Sequence, residues 1–313
     1  MSQAFGHQPV MVAEVVALMV EVPPGVVVDA TVGGAGHAAA LLESRPDLRL
    51  VGVDRDARAV AAASESLADF GDRVAALHQA RFDALATLVD GPLSGVLFDL
   101  GVSSAQLDEA ERGFSYRADA LLDMRMDRSQ ARTAADVVNG TDESTLSRLL
   151  AASGEHRFAR RIARRIVEAR PIETTGELAE VVRAAIPAAA RRTGGHPARR
   201  TFQAIRLAVN EELDVLGPSI DSAIALLGPG GRCVALAYHS GEDRIVKDRF
   251  ARAASGGCTC PPLLPCVCGA VPLVRLLNRG ARKPSPAEVA ANPRAESARL
   301  RACERIAASE AVR

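Results

Sequence analysis

Short apolar runs, mostly valine-rich, punctuate the first hundred positions of the chain and return once near position 235. They fall at residues 26–28, 50–53, 74–77, 96–98 and 233–237, each bounded by Gly, Pro or Asp or close to one. Runs this short, with β-branched content, predict strands rather than buried helices. Between the early runs, apolar positions recur at helical spacing over residues 36–43, 57–69 and 82–89. Strands alternating with helices predict a parallel sheet covered on both faces. From about residue 107 to 210 the pattern changes, and helical periods dominate at 144–152, 157–168, 175–185 and 202–216 with no convincing strand. Strand signals resume after Gly228-Pro229-Gly230-Gly231, which reads as a turn by composition. The expected architecture is α/β: one doubly wound, Rossmann-like domain in two sequence pieces, residues 1–106 and 211–313, with an all-helical domain inserted at 107–210.

Composition narrows the class. A length of 313 residues suggests two domains at roughly 150 residues each, and 48% hydrophobic content lets each bury a core. A disordered chain, a collagen and a disulfide-stapled miniprotein are excluded. Nowhere do 18 apolar residues run uninterrupted. The N-terminus has no basic stretch ahead of an apolar one, and Glu14 and Glu21 interrupt its apolar positions, so a signal peptide is not expected and a cytoplasmic location is. Lys247 and Lys283 are the only lysines, and alanine is the commonest residue, which fits a coding bias rather than a chemistry. With no Trp, and Tyr116 and Tyr238 the only tyrosines, a wide aromatic platform for stacked bases is not expected.

A neutral total of 38 basic and 38 acidic residues hides an uneven distribution. Residues 1–100 carry net −7 and 101–155 net −4, whereas 156–206 carry net +8 and 207–313 net +3. In the basic stretch Arg157, Arg160, Arg161, Arg164 and Arg165 cluster with few carboxylates four residues on. Such a run is either a solvated helix face or a set of guanidinium forks for phosphate oxygens, and charge alone leaves both open.

Candidate chemistry collects after the predicted strands. The first leads into Asp29-Ala30-Thr31-Val32-Gly33-Gly34-Ala35-Gly36-His37, whose glycines allow a tight turn and a close ligand approach at a helix N-terminus. The spacing is G-G-x-G, not the dinucleotide G-x-G-x-x-G. The second strand ends at Asp54, about 20 residues on, where an acid grips a ribose hydroxyl pair in nucleoside-binding sheets. The alternative for Asp54 is a helix N-cap, a position that Asp56 fits better. A pyrophosphate cofactor such as NAD does not suit this glycine spacing. Acids at successive strand ends (Asp29, Asp54, Asp99) favour a cationic nucleoside, S-adenosylmethionine.

Phe98-Asp99-Leu100-Gly101-Val102-Ser103-Ser104-Ala105-Gln106-Leu107-Asp108, then Arg112-Gly113-Phe114-Ser115 and Leu122-Asp123-Met124-Arg125-Met126-Asp127, resembles the RsmH (MraW) family. These are bacterial S-adenosylmethionine-dependent methyltransferases of small-subunit ribosomal RNA. The resemblance extends to His7-Gln8-Pro9-Val10-Met11, to Phe158-Ala159-Arg160-Arg161-Ile162-Ala163 and Glu177-Leu178-Ala179, and to His196-Pro197 with Thr201-Phe202-Gln203-Ala204-Ile205-Arg206. It continues through His239-Ser240, Glu242-Asp243-Arg244-Ile245-Val246-Lys247 and Asn292-Pro293-Arg294. The resemblance implies a doubly wound methyltransferase domain with a helical insert, a target at the N4 amine of a cytidine in the decoding region of 16S rRNA, and the small ribosomal subunit as partner. No membrane role or obligate protein partner is evident. It implies cofactor contacts at Ala35, Gly36, His37, Asp54, Phe82, Asp99 and Gln106. The chain departs from the family pattern at Ala35 (usually Gly), Leu121 (often Pro), Arg199 (often Thr) and Gly241 (often Leu).

The amine of cytosine is a poor nucleophile because its lone pair is delocalised into the ring. It needs alignment and a hydrogen-bond acceptor, and Asp99 at the end of the fourth strand is the candidate, either on the amine or on cofactor alone. Leu100-Gly101-Val102 follows it, where other amino-methyltransferases often carry an Asp/Asn-Pro-Pro-aromatic motif. His239 and Ser240 are secondary candidates for gripping the base, against a structural role for His239. Phe114 and Tyr116 are candidates to bracket an extruded cytosine, against core packing. Carbon-5 methylation is not expected, since it needs a nucleophilic thiolate and no Cys follows Asp99. A non-catalytic assembly factor on the same fold is the competing reading. The six cysteines fit a reducing compartment. Cys233 and Cys303 stand isolated, while Cys258-Thr259-Cys260 and Cys266-Val267-Cys268 are either zinc ligands or free thiols in a loop.

Overall fold

The computed structural model describes residues 9–191, 196–261, 267–307 and 309, so His7, Gln8 and Cys266 lie outside the described residues. The chain divides into two compact units, Met1–Gly101 with Asp214–Arg313, and Val102–Leu213. The division falls after 101 and after 213, where the sequence places it after 106 and after 210.

The first unit is built on a seven-stranded sheet of order β3-β2-β1-β4-β5-β7-β6. Its strands are β1 (Gly25–Asp29), β2 (Leu48–Asp54), β3 (Val74–Gln79), β4 (Leu93–Asp99), β5 (Leu227–Ala237), β6 (Val274–Leu276) and β7 (Arg299–Arg305). The first five run parallel, and β7 pairs antiparallel with both β5 and β6. Successive residues on each strand face opposite sides. Val27, Leu50, Leu97, Val234 and Leu236 join one core with α1 (Val12–Met19) and α2 (Gly36–Ser44). Val28, Val51, Val96, Phe98, Cys233 and Ala235 join the other, with the helices Glu212–Leu226 and Ser240–Ser255. Two covered faces explain why the parallel strands read as continuous apolar runs. The strand order reverses between β1 and β4, which opens a crevice outside their carboxyl ends.

Three elements differ from the sequence expectation. Gly228–Gly231 are part of β5, not a turn before it, because the pairing jumps from Leu93↔Leu227 to Gly95↔Arg232 and the extra residues bulge out. β7 was hidden by its charges, since its arginines and Glu304 interrupt the apolar positions. Its polar groups are paired: Arg232 bonds Glu304 at 2.9 Å, and Arg301 bonds Asp243 at 2.7 Å. The expected helix at 202–216 is two helices, Arg199–Asn210 and Glu212–Leu226, parted where Glu211 takes a left-handed conformation.

The second unit is helical. Thr133, Asp142 and Thr174 cap the helices Ala134–Gly140, Glu143–Ala152 and Thr175–Ala185 through side-chain oxygens that accept backbone N–H bonds. Leu146, Leu150, Ile162, Ile166, Leu178, Val182, Phe202 and Ile205 form its core. The irregular stretch before the first of these helices is tied down by buried polar groups. Asn210 is fully buried, donates to the Met124 carbonyl at 2.7 Å and accepts from Met126 N–H at 2.9 Å. Arg112 donates to the carbonyls of Arg125 and Met126, each at 3.0 Å. Asn210→Ala strands a buried donor and a buried acceptor, so chemical denaturation should show a loss of about 2–4 kcal/mol at unchanged secondary structure.

Candidate active site

Parallel strands bring their last residues to one edge, and three of the first unit's strands end in aspartate: Asp29 on β1, Asp54 on β2 and Asp99 on β4. After β1 the chain turns through Thr31 and Gly33 into α2. Gly33 takes φ 50°, and Ala35, at the helix N-cap, takes φ 66° with its side chain wholly buried. Gly36 opens α2 against Pro9, where an added Cβ would lie 2.2 Å from the proline Cγ. Of the expected contacts, Ala35, Gly36 and His37 therefore lie on one turn of chain.

Asp54 is organised by backbone. One oxygen accepts from Gly33 N–H at 3.0 Å and the other from Asp56 N–H at 2.9 Å. Asp56 is the cap of the helix Ala57–Ser66, accepting from Arg58 N–H at 3.1 Å, which leaves Asp54 to the crevice. Burial pushes the Asp54 carboxyl up to about 6, against its two backbone donors. Asp29 is raised further by burial, to about 7, although His37 nearby opposes the rise.

Asp99 is held from two sides. Its Oδ1 accepts from the Tyr238 hydroxyl at 2.7 Å, and its Oδ2 lies 3.4 Å from His37 Nε2. Its backbone N–H donates to Thr31 Oγ1 at 2.6 Å. Burial opposes a charge on His37, but Asp99 and Asp29 outweigh it and raise the imidazole above its ordinary value. Neither ring nitrogen has a hydrogen bond of good geometry, although both are buried. Burial, with Asp99 beside it, pushes the Tyr238 phenol well above its ordinary value. Sequence reasoning missed Tyr238. Its signal was positional: β5 neighbours β4, and Asp99 pairs with Leu236, two residues before the tyrosine.

Other expected residues are placed less directly. Phe82 begins the short turn after β3 and meets Phe98 edge-on, with ring centroids 5.8 Å apart. Gln106 belongs to the second unit, where it is buried and completes a capping box with Ser103, accepting from its N–H at 3.1 Å. His239 is a cap, not a free base-gripping group: its Nδ1 accepts from Gly241 and Glu242 N–H, and its Nε2 lies 2.9 Å from Glu242. Phe114 is in the core of the second unit. Tyr116 stacks on His196 at 4.3 Å, so one face of its ring is already covered. Cys233 and Cys303 are not isolated, because they are cross-strand partners inside the sheet. The contact with Cys303, together with burial, pushes the Cys233 thiol well above its ordinary value.

A sheet of this order, with a glycine turn after β1 and an acid ending β2, defines the doubly wound methyltransferase fold. The chain matches the MraW methylase family over residues 4–306, and it belongs to that family. It is 53% identical over 316 residues to the ribosomal RNA small subunit methyltransferase H of Symbiobacterium thermophilum, covering 98% of this chain and 99% of that one. The protein of the same name from Heliobacterium modesticaldum is 49% identical, with 96% and 99% covered. Among solved structures, an rRNA methylase from Streptococcus thermophilus aligns over 96% of this chain and 98% of its own, at 11% identity and a TM-score of 0.43. A likeness that distant bears no weight in the assignment. S-adenosylmethionine is the cofactor. The buried acids and the orphaned His37 ring fit a cationic nucleoside better than an empty crevice. Among the described residues no helix is long and apolar enough to cross a membrane.

The raised Asp54 sets a pH dependence. Its carboxyl must be ionised to accept bonds from a hydroxyl pair, so cofactor affinity should rise as pH climbs through about 6 and level off above. At pH 5 only about a tenth of the group is ionised, so calorimetry with S-adenosylhomocysteine should find binding about tenfold weaker than at pH 7.5. Asp54→Ala should weaken binding at pH 7.5 by at least about tenfold with the fold intact. Unchanged affinity would remove Asp54 from the site.

Proposed function

We propose that this chain methylates the N4 amine of a cytidine in the decoding region of 16S rRNA, within the small ribosomal subunit. The observation that carries the reading is Asp99: a carboxylate at the end of β4, braced by Tyr238 and His37, whose side chain keeps 20% of its surface exposed. Asp54 takes the ribose hydroxyls, Phe82 flanks the adenine, and Ala35, Gly36 and His37 line the amino-acid end. The helix N-terminus after Ala35, which has no side-chain cap, suits a carboxylate there. Gln106 is the remaining cofactor contact that the family resemblance implies. When bound, the cofactor offers a methyl group on a positively charged sulfur.

The chain's own task is to hold the amine in line and to relieve it of charge. Asp99 accepts a hydrogen bond from the amine, which localises the nitrogen lone pair for attack. As the N–C bond forms and the C–S bond breaks, the amine becomes cationic, and the adjacent carboxylate stabilises that charge and takes up the proton. Tyr238 fixes the rotamer of Asp99 through Oδ1, and Oδ2, 3.4 Å from His37, is the oxygen that meets the amine. Thiolate chemistry at carbon 5 finds no support, because Cys233 and Cys303 are buried against each other.

The helical insert is the RNA-holding domain. On the helix Ala159–Glu168, Ile162, Ala163 and Ile166 face the core, whereas Arg160, Arg161, Arg164 and Arg165 are exposed. Arg161, Arg164, Arg165 and Glu168 line an open cleft of about 290 Å³. Arg164 and Arg165 share Glu168, at 3.8 and 3.0 Å. Exposed pairs of this kind are worth about 0–1 kcal/mol, so phosphates displace them readily.

Two outcomes are expected. Asp99→Ala should lower methyl transfer by about 100-fold or more, with cofactor affinity measured alongside, and mass spectrometry of digested rRNA should show N4-methylcytidine as the wild-type product. Finding 5-methylcytidine would overturn the mechanism, and a wild-type protein that binds subunits without transfer would favour a non-catalytic assembly factor. Separately, RNA affinity should fall with salt in proportion to the phosphates contacted. Reversing Arg160, Arg161, Arg164 and Arg165 to Glu should flatten that slope and spare cofactor binding. A slope unchanged in the variant would make this face merely solvated.

A further inference from the structure

The helix Ser240–Ser255 ends at Gly256, and the next regular element among the described residues is β6, from Val274. The base of this connection is closed. Gly256, at φ 61°, sits so close to Val271 that an added Cβ would lie 2.4 Å from its carbonyl carbon. Leu273 N–H donates to the Ala253 carbonyl at 2.9 Å, and Gly257 N–H to that of Arg252 at 2.9 Å. Of the described residues farther out, Val267 is 88% exposed and Val271 55%. A connection of this length is costly in chain entropy unless something crosslinks it.

Three cysteines meet there. The sulfurs of Cys258, Cys260 and Cys268 all lie within 4.8 Å of one another, and those of Cys258 and Cys268 are 3.5 Å apart. A disulfide would require about 2.05 Å. Four sulfurs around a tetrahedral zinc ion, each at about 2.3 Å from the metal, stand about 3.8 Å apart, near the 3.5 Å between Cys258 and Cys268 and inside the 4.8 Å that bounds all three sulfurs. The donor set is sulfur alone. Thiolates select soft or borderline ions such as zinc and discriminate against magnesium and calcium, which require oxygen ligands.

We propose that Cys258, Cys260 and Cys268 bind a zinc ion as thiolates, with the fourth tetrahedral position open to a further donor. Binding releases the thiol protons, and the ion joins Cys258 and Cys260, just past the helix, to Cys268 on the return limb. The two limbs are thereby crosslinked beside the exposed Val267. The role is structural, as the placement within the unit shows. The helix Ser240–Ser255 starts beside Tyr238, at the carboxyl edge of the sheet, and its 16 residues carry the chain about 24 Å away before the first cysteine. Zinc there is too distant to act on the methyl-transfer chemistry, but it fixes the segment that delivers β6 to the sheet edge.

The test uses the full-length protein without a metal-binding tag, purified under reducing conditions. Elemental analysis should find about one zinc per chain. Cys258→Ser and Cys260→Ser should each fall to background while circular dichroism stays that of the wild type. Cobalt(II) added to stripped protein should give thiolate-to-metal charge-transfer bands, lost in both variants. Stripping zinc with a chelator should expose the segment between Gly256 and Leu273 to limited proteolysis, and restoring zinc should protect it. Metal-free wild-type protein that does not take up cobalt, a Cys258–Cys268 disulfide found by mass spectrometry after alkylation without reductant, or full zinc content in both serine variants would each overturn the proposal.

Discussion

Three carboxylates at the ends of adjacent parallel strands, Asp29 buried and Asp54 and Asp99 half-buried, are the constraint around which the first unit is organised. An ionised carboxylate removed from water is costly, and Asp29, Asp54 and Asp99 also repel one another. The chain meets that cost locally. Backbone N–H groups of Gly33 and Asp56 hold Asp54, Thr31 N–H bonds Asp29 at 3.2 Å, and Tyr238 and His37 brace Asp99. Compensation is incomplete, which is why Asp54 and Asp29 titrate near 6 and 7. Both values lie above those of an unfolded chain, so the stability tied to their protonated forms is full below about pH 3.8 and is lost as pH rises through 6 and 7. At neutral pH the free protein therefore carries an electrostatic strain that a cationic ligand relieves. Under the proposed function, affinity for the sulfonium cofactor and the cost of the charged strand ends have one cause.

Most of this arrangement was legible in the sequence because it depends on strand ends. In a parallel sheet the residue that ends each apolar run reaches the same edge, so Asp29, Asp54 and Asp99 could be grouped before any coordinates existed. What was not legible depends on pairing between distant segments. Tyr238 follows β5, and nothing local says that β5 lies beside β4. β7 was invisible for a related reason. Its sequence Arg-Leu-Arg-Ala-Cys-Glu-Arg looks like a solvated segment until Asp243 and Arg232 are brought alongside to pair its charges. For His239 and Tyr116 the sequence left ligand contact and a structural role both open, and the structure favours the second: an N-cap and a stacked neighbour engage them.

The insert follows a different logic. Its core positions are as regular as those of any helical bundle, so the surface is free to carry charge without endangering the fold. Four of the twelve basic residues of 156–206 stand on the face of Ala159–Glu168 opposite Ile162 and Ile166. Separation by face lets one short helix pack on one side and carry charge on the other. The neutral total charge of the chain says little because acidic and basic stretches offset each other inside each unit, leaving net −2 on the first and +2 on the second.

Ala35 shows how finely the glycine turn is balanced. A left-handed conformation costs a residue with a Cβ about 1–2 kcal/mol relative to glycine. Here the Cβ is wholly buried in the cluster formed by α1, α2 and the sheet, and burying a methyl group returns about 0.8 kcal/mol. Alanine also leaves the unfolded chain fewer conformations to lose than glycine would, which returns roughly another 0.4–1 kcal/mol. The terms nearly cancel, so alanine is tolerated where glycine is the simpler choice, and the turn it forms is stiffer. A stiff turn matters because Gly33, two residues earlier, positions Asp54, and His37, two residues later, braces Asp99. Rigidity at Ala35 therefore sets the spacing between Asp54 and Asp99.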